Sequence, residues 1–156
     1  MADPYKKVYL HVIFAPKNRQ ALLEKSWRNR LFAYVSKTLS QRGHYALAVN
    51  GHLDHIHLFF DYSCKELIAD LVRESKKSSN KFVKEKQLSK FKFEWQSGYG
   101  VFSNGYRERD IINKYILNQE KHHMTRSFQE EYMSLLKNYE IAYKDEYVFR
   151  FFEDLY

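Results

Sequence analysis

His44-Tyr45-Ala46-Leu47-Ala48-Val49-Asn50-Gly51-His52-Leu53-Asp54-His55-Ile56-His57-Leu58-Phe59-Phe60-Asp61-Tyr62 contains two apolar, aromatic-rich runs around a turn-like centre. Such runs, with Asn-Gly between them, predict an antiparallel hairpin with strands over 44–49 and 55–62. A strand sends alternate side chains to opposite faces. Ile56, Leu58 and Phe60 therefore share one face, and His55 and His57 share the other.

Toward the N-terminus, Val8, Leu10, Val12 and Phe14 alternate with Tyr9, His11 and Ile13. This predicts a strand with one apolar and one mixed face, ended by Pro16. Between Ser26 and Gln41, Leu31, Val35 and Leu39 recur at helical spacing with Phe32 beside them, and Gly43 falls where a left-handed cap is expected. After the hairpin, Ser63 with Glu66 is a capping-box pattern opening a long amphipathic helix to about Lys86. Its polar face carries Arg73, Lys76, Lys77, Lys81 and Lys84.

Phe91–Trp95 and Tyr99–Phe102 read as short strands around Ser97-Gly98, and Arg107–His122 as one helix with Ile111, Ile112, Tyr115 and Ile116. Ser127 with Glu130 caps a last helix containing Tyr132, Leu135 and Leu136. The order predicts an α+β fold of the ferredoxin-like or RNA-recognition-module type. An antiparallel sheet has helices packed on one face, and a further helix carries Tyr115.

The chain has 156 residues, 44% of them apolar. That suffices for one domain, residues 1–156, with no Ser/Gly linker or low-complexity tract dividing it. A formal charge of +7 makes a polyanion the first partner to consider, since Lys and Arg displace condensed counterions from phosphate backbones. Thirteen Tyr and twelve Phe add faces on which unpaired bases can stack. The lone Cys64 forms no internal disulfide, consistent with a reducing compartment. Met1–Lys7 lacks a signal-peptide core, and no run approaches the roughly 20 apolar residues that span a bilayer. The expectation is a soluble cytoplasmic protein with no membrane partner.

Two neutral imidazoles on one strand face can hold a divalent ion, but a further oxygen ligand normally completes such a site. Tyr115 and Gln119 lie four apart and so share one side of a helix, presenting a hydroxyl and an amide oxygen together. A phenol with a pKa of about 10 is a poor nucleophile at neutral pH, and a nearby cation is the usual remedy. Asp54 reads as turn chemistry, with orientation of a histidine as its alternative. His122 and His123 diverge by about 100° on a helix and read as surface or phosphate-contacting groups.

His11-Val12-Ile13-Phe14 with Lys17-Asn18-Arg19, Asp54-His55-Ile56-His57-Leu58, Trp95-Gln96-Ser97-Gly98-Tyr99-Gly100, and Tyr115-Ile116-Leu117-Asn118-Gln119 with His122-His123 follow one another in that order. In this the chain resembles the single-tyrosine transposases of the HUH class and their relatives associated with repetitive palindromic elements. The resemblance implies His55, His57 and Gln119 as ligands of Mg2+ or Mn2+ and Tyr115 as the nucleophile. It implies cutting and rejoining of single-stranded DNA at hairpin ends through a 5′-phosphotyrosine. It also implies a homodimer of a bacterial or archaeal cell, with assembly of the site within or between chains left open. Lys17, Arg19, Arg73, Lys76, Lys77, Lys81 and Lys84 are the expected DNA contacts. Two alternatives stand beside this reading. One is a non-catalytic single-stranded nucleic-acid-binding module whose sheet exposes Tyr9, His11 and the histidine pair to bases. The other is a phosphodiesterase that uses water.

Overall fold

The computed structural model describes residues 4–152 and residue 155. Its sheet has four strands: β1 (Tyr9–Phe14), β2 (Tyr45–His52), β3 (His55–Asp61) and β4 (Gly100–Asn104), in the spatial order β2-β3-β1-β4 with every neighbouring pair antiparallel. Helices α1 (Arg28–Gln41) and α2 (Ile68–Glu85) make the two crossovers, giving the expected ferredoxin-like topology. Only Leu53 and Asp54 separate the hairpin strands, so β2 continues through Asn50–His52, beyond the strand read from the sequence. Gly51 lies opposite Ile56, where a Cβ would fall 2.2 Å from the His55 carbonyl oxygen. Only glycine fits that approach.

One face of the sheet behaves as its periodicity predicts. Leu10, Val12, Phe14, Ile56, Leu58 and Phe60 bury with Leu31, Phe32, Val35 and Leu39 of α1 and Leu71, Val72 and Val83 of α2. Helix α1 ends as expected, with Gly43 at φ +89°. Helix α2 begins differently. Its N-cap is Leu67 with no side-chain cap, because Glu66 pairs instead with Arg42 (2.6 Å) and with His44 (2.8 Å). Phe91–Trp95 forms no strand beyond a single bridge between Trp95 and Pro16, so β4 alone follows α2.

The other face is also covered, which the sequence reading left mixed or open. Helices α3 (Arg109–Leu117), α4 (Gln119–His122) and α5 (Phe128–Asn138) enclose it. Ile116 packs with Tyr9, Ala48 and Phe59, and Phe128, Tyr132 and Leu136 close the β4 side. Gly100 admits α5: a Cβ there would lie 2.5 Å from the Tyr132 hydroxyl. The single helix expected over Arg107–His122 is a 3-10 turn (Tyr106–Glu108) followed by α3 and α4. Asn50 Nδ2 donates to the carbonyls of Ile116 (2.9 Å) and Leu117 (3.2 Å), which occupies acceptors that a continuous helix would use. Asn118 takes up the break at φ −98° and ψ 24°.

Candidate metal centre and nucleophile

His55 and His57 leave β3 on the face covered by α3–α5 and are fully buried. Gln119, the first residue of α4, is buried with them, and Tyr115, in the last turns of α3, is half-buried. The break at Asn118 therefore still leaves the two α3–α4 side chains facing the histidine pair. His55 Nε2 lies 2.8 Å from Gln119 Oε1. The Tyr115 ring sits edge-on to His57 with centroids 6.1 Å apart.

Sequence reading did not single out Glu131. This residue of α5 is 1% exposed, and its Oε1 lies 3.1 Å from His57 Nε2 and 3.4 Å from His55 Nε2. Its Oε2 accepts a hydrogen bond from the Tyr115 hydroxyl. One carboxylate thus joins the histidine pair to the phenol. Three of these groups, His55, His57 and Glu131, are placed to hold a metal ion together. The signal for Glu131 was present in the sequence. Ser127 caps α5 by accepting from the Glu130 backbone N–H, while Glu131 falls between Phe128 and Tyr132 on the apolar stripe, where a charge needs a reason.

Two other side chains differ from their sequence reading. Asp54 is buried, and its Oδ1 accepts from His55 Nδ1 at 2.9 Å, so it orients the imidazole instead of serving the turn alone. His123 is also buried: its Nδ1 donates to the Arg126 carbonyl at 2.6 Å, and its Nε2 lies 2.9 Å from Gln119 Oε1. His122 remains partly exposed beside the Tyr115 ring.

Tautomers test whether a cation fits. Asp54 holds the proton of His55 on Nδ1, which leaves Nε2 a bare lone pair facing two oxygens, Gln119 Oε1 and Glu131 Oε1. The Gln119 amide is fixed in that sense, because its Nε2 donates to Glu131 Oε2 at 3.3 Å. Acceptor faces acceptor, and a positive charge is what relieves the contact. The electrostatics agree. Burial opposes charge on His55, but Asp54 and Glu131 outweigh it and raise the pKa of the ring. Burial likewise opposes ionisation of Glu131, yet His57, His123 and His55 hold its carboxyl far below the ordinary range. Burial, then the charge of Glu131, pushes the Tyr115 phenol well above its ordinary value. Burial lowers the pKa of His57 and, with His57 beside it, lowers that of His11. His11 Nε2 lies 2.6 Å from His57 Nδ1, so this buried partner sets the tautomer of His57.

The expected DNA contacts sort differently. Lys17 and Arg19 are exposed after β1, with Lys17 3.8 Å from Glu94. Arg73, Lys77, Lys81 and Lys84 lie on the exposed side of α2, where Arg73 pairs with Asp70 and Lys81 with Glu85. Lys76 turns inward. It donates to the carbonyls of Gln96 (2.8 Å) and Gly98 (2.7 Å), and burial lowers its pKa to about 8. Its place is in the loop that follows Trp95. Among the described residues no helix is long and apolar enough to cross a membrane.

Fold and site together define an α+β protein with a candidate metal centre enclosed beside a tyrosine. Residues 4–119 match the family described as "Transposase IS200 like", and the chain belongs to that family. An inferred transposase from Deinococcus radiodurans is similar in structure, with 24% identity and a TM-score of 0.59 over 76% of this chain and 95% of that one. A REP-associated tyrosine transposase bound to a REP hairpin is similar at 17% identity, with a TM-score of 0.55 over 79% of this chain and 73% of that one. No curated protein sequence matches. The family match ends at Gln119, so Glu131 and His123 lie beyond it.

Proposed function

We propose that this chain cuts and rejoins single-stranded DNA by transesterification through Tyr115, with His55, His57 and Glu131 holding a divalent cation and Gln119 beside them. The observation that carries this reading is the Glu131 carboxylate, with one oxygen toward the two histidines and the other on the Tyr115 hydroxyl. Family membership supports transposition chemistry. The relative bound to a REP hairpin supports a hairpin-bearing strand as substrate.

In the first step, Tyr115 Oη attacks the scissile phosphorus. A P–O bond to tyrosine forms and the bond to the 3′-oxygen breaks, leaving a 5′-phosphotyrosine and a 3′-hydroxyl. The phenolic proton points at Glu131 Oε2, but against its burial the neighbouring histidines hold that carboxyl far below its ordinary range, so Glu131 orients the phenol while the phenolic proton passes to solvent and the departing 3′-oxygen takes one up. A divalent cation held by His55, His57 and Glu131 would supply positive charge that favours the phenolate and polarises a phosphate oxygen. In the second step, a 3′-hydroxyl attacks the phosphotyrosine, its P–O bond forms, and Tyr115 leaves and regains its proton. One phosphodiester is exchanged for another, and no nucleotide energy source is needed. The phosphate approaches on the side where Tyr115 and His122 keep some exposure.

The binding-module alternative needs an open sheet face, and Tyr9, His11, His55 and His57 are all buried. A homodimer remains part of the proposal. Because Tyr115 meets Glu131 of its own chain, each subunit is proposed to act in cis, and mixing Tyr115→Phe with His57→Ala should restore no cleavage. Helix α2 packs on the sheet face opposite the histidines, so Arg73, Lys77, Lys81 and Lys84 are assigned to flanking phosphates, with Lys17 and Arg19, away from the scissile bond.

The test uses hairpin-bearing single-stranded oligonucleotides drawn from the DNA flanking the gene, incubated with Mn2+ and run on a denaturing gel. A covalent protein–DNA adduct is expected for the wild type and none for Tyr115→Phe. An adduct that survives that change, or strand cutting with no adduct, would overturn the proposal.

A further inference from the structure

A groove of about 740 Å³, away from the candidate metal centre, runs beside α5 along the outer edge of the sheet. Among the described residues β4 pairs with β1 alone. The Tyr62 N–H donates to the Val8 carbonyl at 2.7 Å, so alternation along β1 gives the groups of Val8, Leu10 and Val12 to β3 and those of Tyr9, His11 and Ile13 to β4. Their β4 partners are Asn104, Phe102 and Gly100. Val101 and Ser103 therefore turn their N–H and C=O groups outward. The Ser103 carbonyl meets the Tyr139 hydroxyl at 3.1 Å, and those of Val101 face the groove.

Residues 141–148 form the outer wall, and both ends of that wall are fixed. Ile141 N–H donates to the Leu136 carbonyl at 2.9 Å. At the other end the Gln96 amide grips the backbone in both directions: it accepts from Arg150 N–H (2.8 Å) and donates to the carbonyls of Arg150 (2.9 Å) and Pro16 (3.0 Å). Phe149 is buried next to this clamp, its ring 4.8 Å from that of Tyr132. The Trp95-Gln96-Ser97-Gly98 segment, which the metal centre does not use, thus holds the wall in place. On the wall, Tyr143 and Tyr147 are 50% and 77% exposed, and Lys144 Nζ lies 5.9 Å from the Tyr147 ring centre. A second groove of about 490 Å³ continues past Tyr147 and Val148 to Lys17 and Arg150. Together the two are lined by three cations, Lys17, Lys144 and Arg150, against one carboxylate, Glu146.

We propose that this trough binds an unpaired stretch of DNA strand, with bases on Tyr143 and Tyr147, a base edge at the Val101 N–H and C=O, and phosphates at Lys144 and Arg150. Unpaired bases offer faces that stack on exposed aromatic rings, whereas a duplex keeps those faces inside. An extended peptide would use the same strand edge, but the excess of cations in the trough and the +7 charge of the chain favour a polyanion. Trough and metal centre share α5, with Tyr132 lining the one and Glu131 the other, so a strand held in the trough reaches the cleavage site across one helix. The inference rests on the proposed function for the identity of the polymer, and its aromatic wall lies beyond the family match.

The test measures binding of fluorescein-labelled oligothymidylate to the full chain in EDTA, read by anisotropy, so that no covalent step intervenes. Tyr147→Ala should weaken binding by roughly 5- to 150-fold, the loss of one stacked base, and Tyr147→Phe, which keeps the ring, should bind as the wild type does. Lys144→Gln should lower the slope of log affinity against log salt by about 0.7, one phosphate contact on a single strand. Irradiation of a strand carrying 5-iodouracil should crosslink it within residues 138–150, and thermal unfolding reports whether each variant is folded. Crosslinks confined elsewhere, no binding by the wild type, or wild-type affinity in a folded Tyr143→Ala, Tyr147→Ala double variant overturns the trough and leaves the adduct test of Tyr115 standing. An adduct that survives Tyr115→Phe, with the crosslink in place, overturns the chemistry and leaves the trough. Duplex affinity weakened as much as that of the single strand overturns the assignment to unpaired bases. A double variant altered in sedimentation alone marks a contact between copies of the chain and overturns the proposal.

Discussion

The two faces of strand β3 lie one residue apart along the chain and obey different physics. Ile56, Leu58 and Phe60 meet α1 and α2 through non-directional apolar contact, which any side chain of similar volume satisfies. His55 and His57 meet α3–α5 through groups whose protons and lone pairs must be matched one by one. The first face holds the protein together whatever is bound. The second is stable in proportion to the positive charge it contains, which ties its stability to its chemistry.

The largest expected effect falls on the apolar face. Leu58→Ala should cost about 2–5 kcal/mol in denaturant unfolding, with or without metal, because it leaves a cavity between the sheet and helices α1 and α2. His57→Ala should behave oppositely, changing metal-free stability less and abolishing the response to metal. The wild type should gain about 2.7 kcal/mol when Mn2+ is present at 100 times its dissociation constant, and His57→Ala should gain nothing. Equal metal responses in the two proteins would erase the contrast.

A smaller effect probes how α5 is seated on the polar face. Gly100→Ala forces the Tyr132 ring to move and should cost about 1–3 kcal/mol, with weaker metal binding because Glu131 shares that helix. Loss of stability with unchanged affinity would show that the β4 side does not position the carboxylate.

The smallest effect is a pH dependence from α2. Lys76 is lowered from 10.5 to about 8 by burial, so the unfolded chain binds its proton more tightly than the folded one. A depressed group of this kind contributes stability above its unfolded value and loses it as pH falls toward the folded one. The difference in stability between wild type and Lys76→Met should therefore move in favour of the wild type as pH rises from about 8 to about 10. A flat difference would place the Lys76 ammonium in a solvated site.

The same contrast explains what could be read from the sequence. Period-two alternation revealed the hairpin and its histidine pair, and four-residue spacing brought Tyr115 to Gln119, because both patterns are local. Glu131 meets His57 across 74 residues of chain, and no local period encodes that meeting. Its one signal, an acid on the apolar stripe of α5, was hidden by Glu130, whose backbone completes the cap. Ser63 misled for a related reason: the pattern was there, but Arg42 and His44 compete for Glu66 and win it. Asn50 likewise broke the expected long helix through a contact 66 residues away. Side-chain pairing across distant elements decided each of these features.

The central claim is that one buried carboxylate serves both the metal and the nucleophile. Anomalous diffraction from crystals soaked in Mn2+ tests it most directly. A single peak bonded to His55 Nε2, His57 Nε2 and Glu131 Oε1, with Tyr115 adjoining the same carboxylate, is the predicted result. A peak that leaves Glu131 unbound, or no peak at millimolar Mn2+, would contradict the claim.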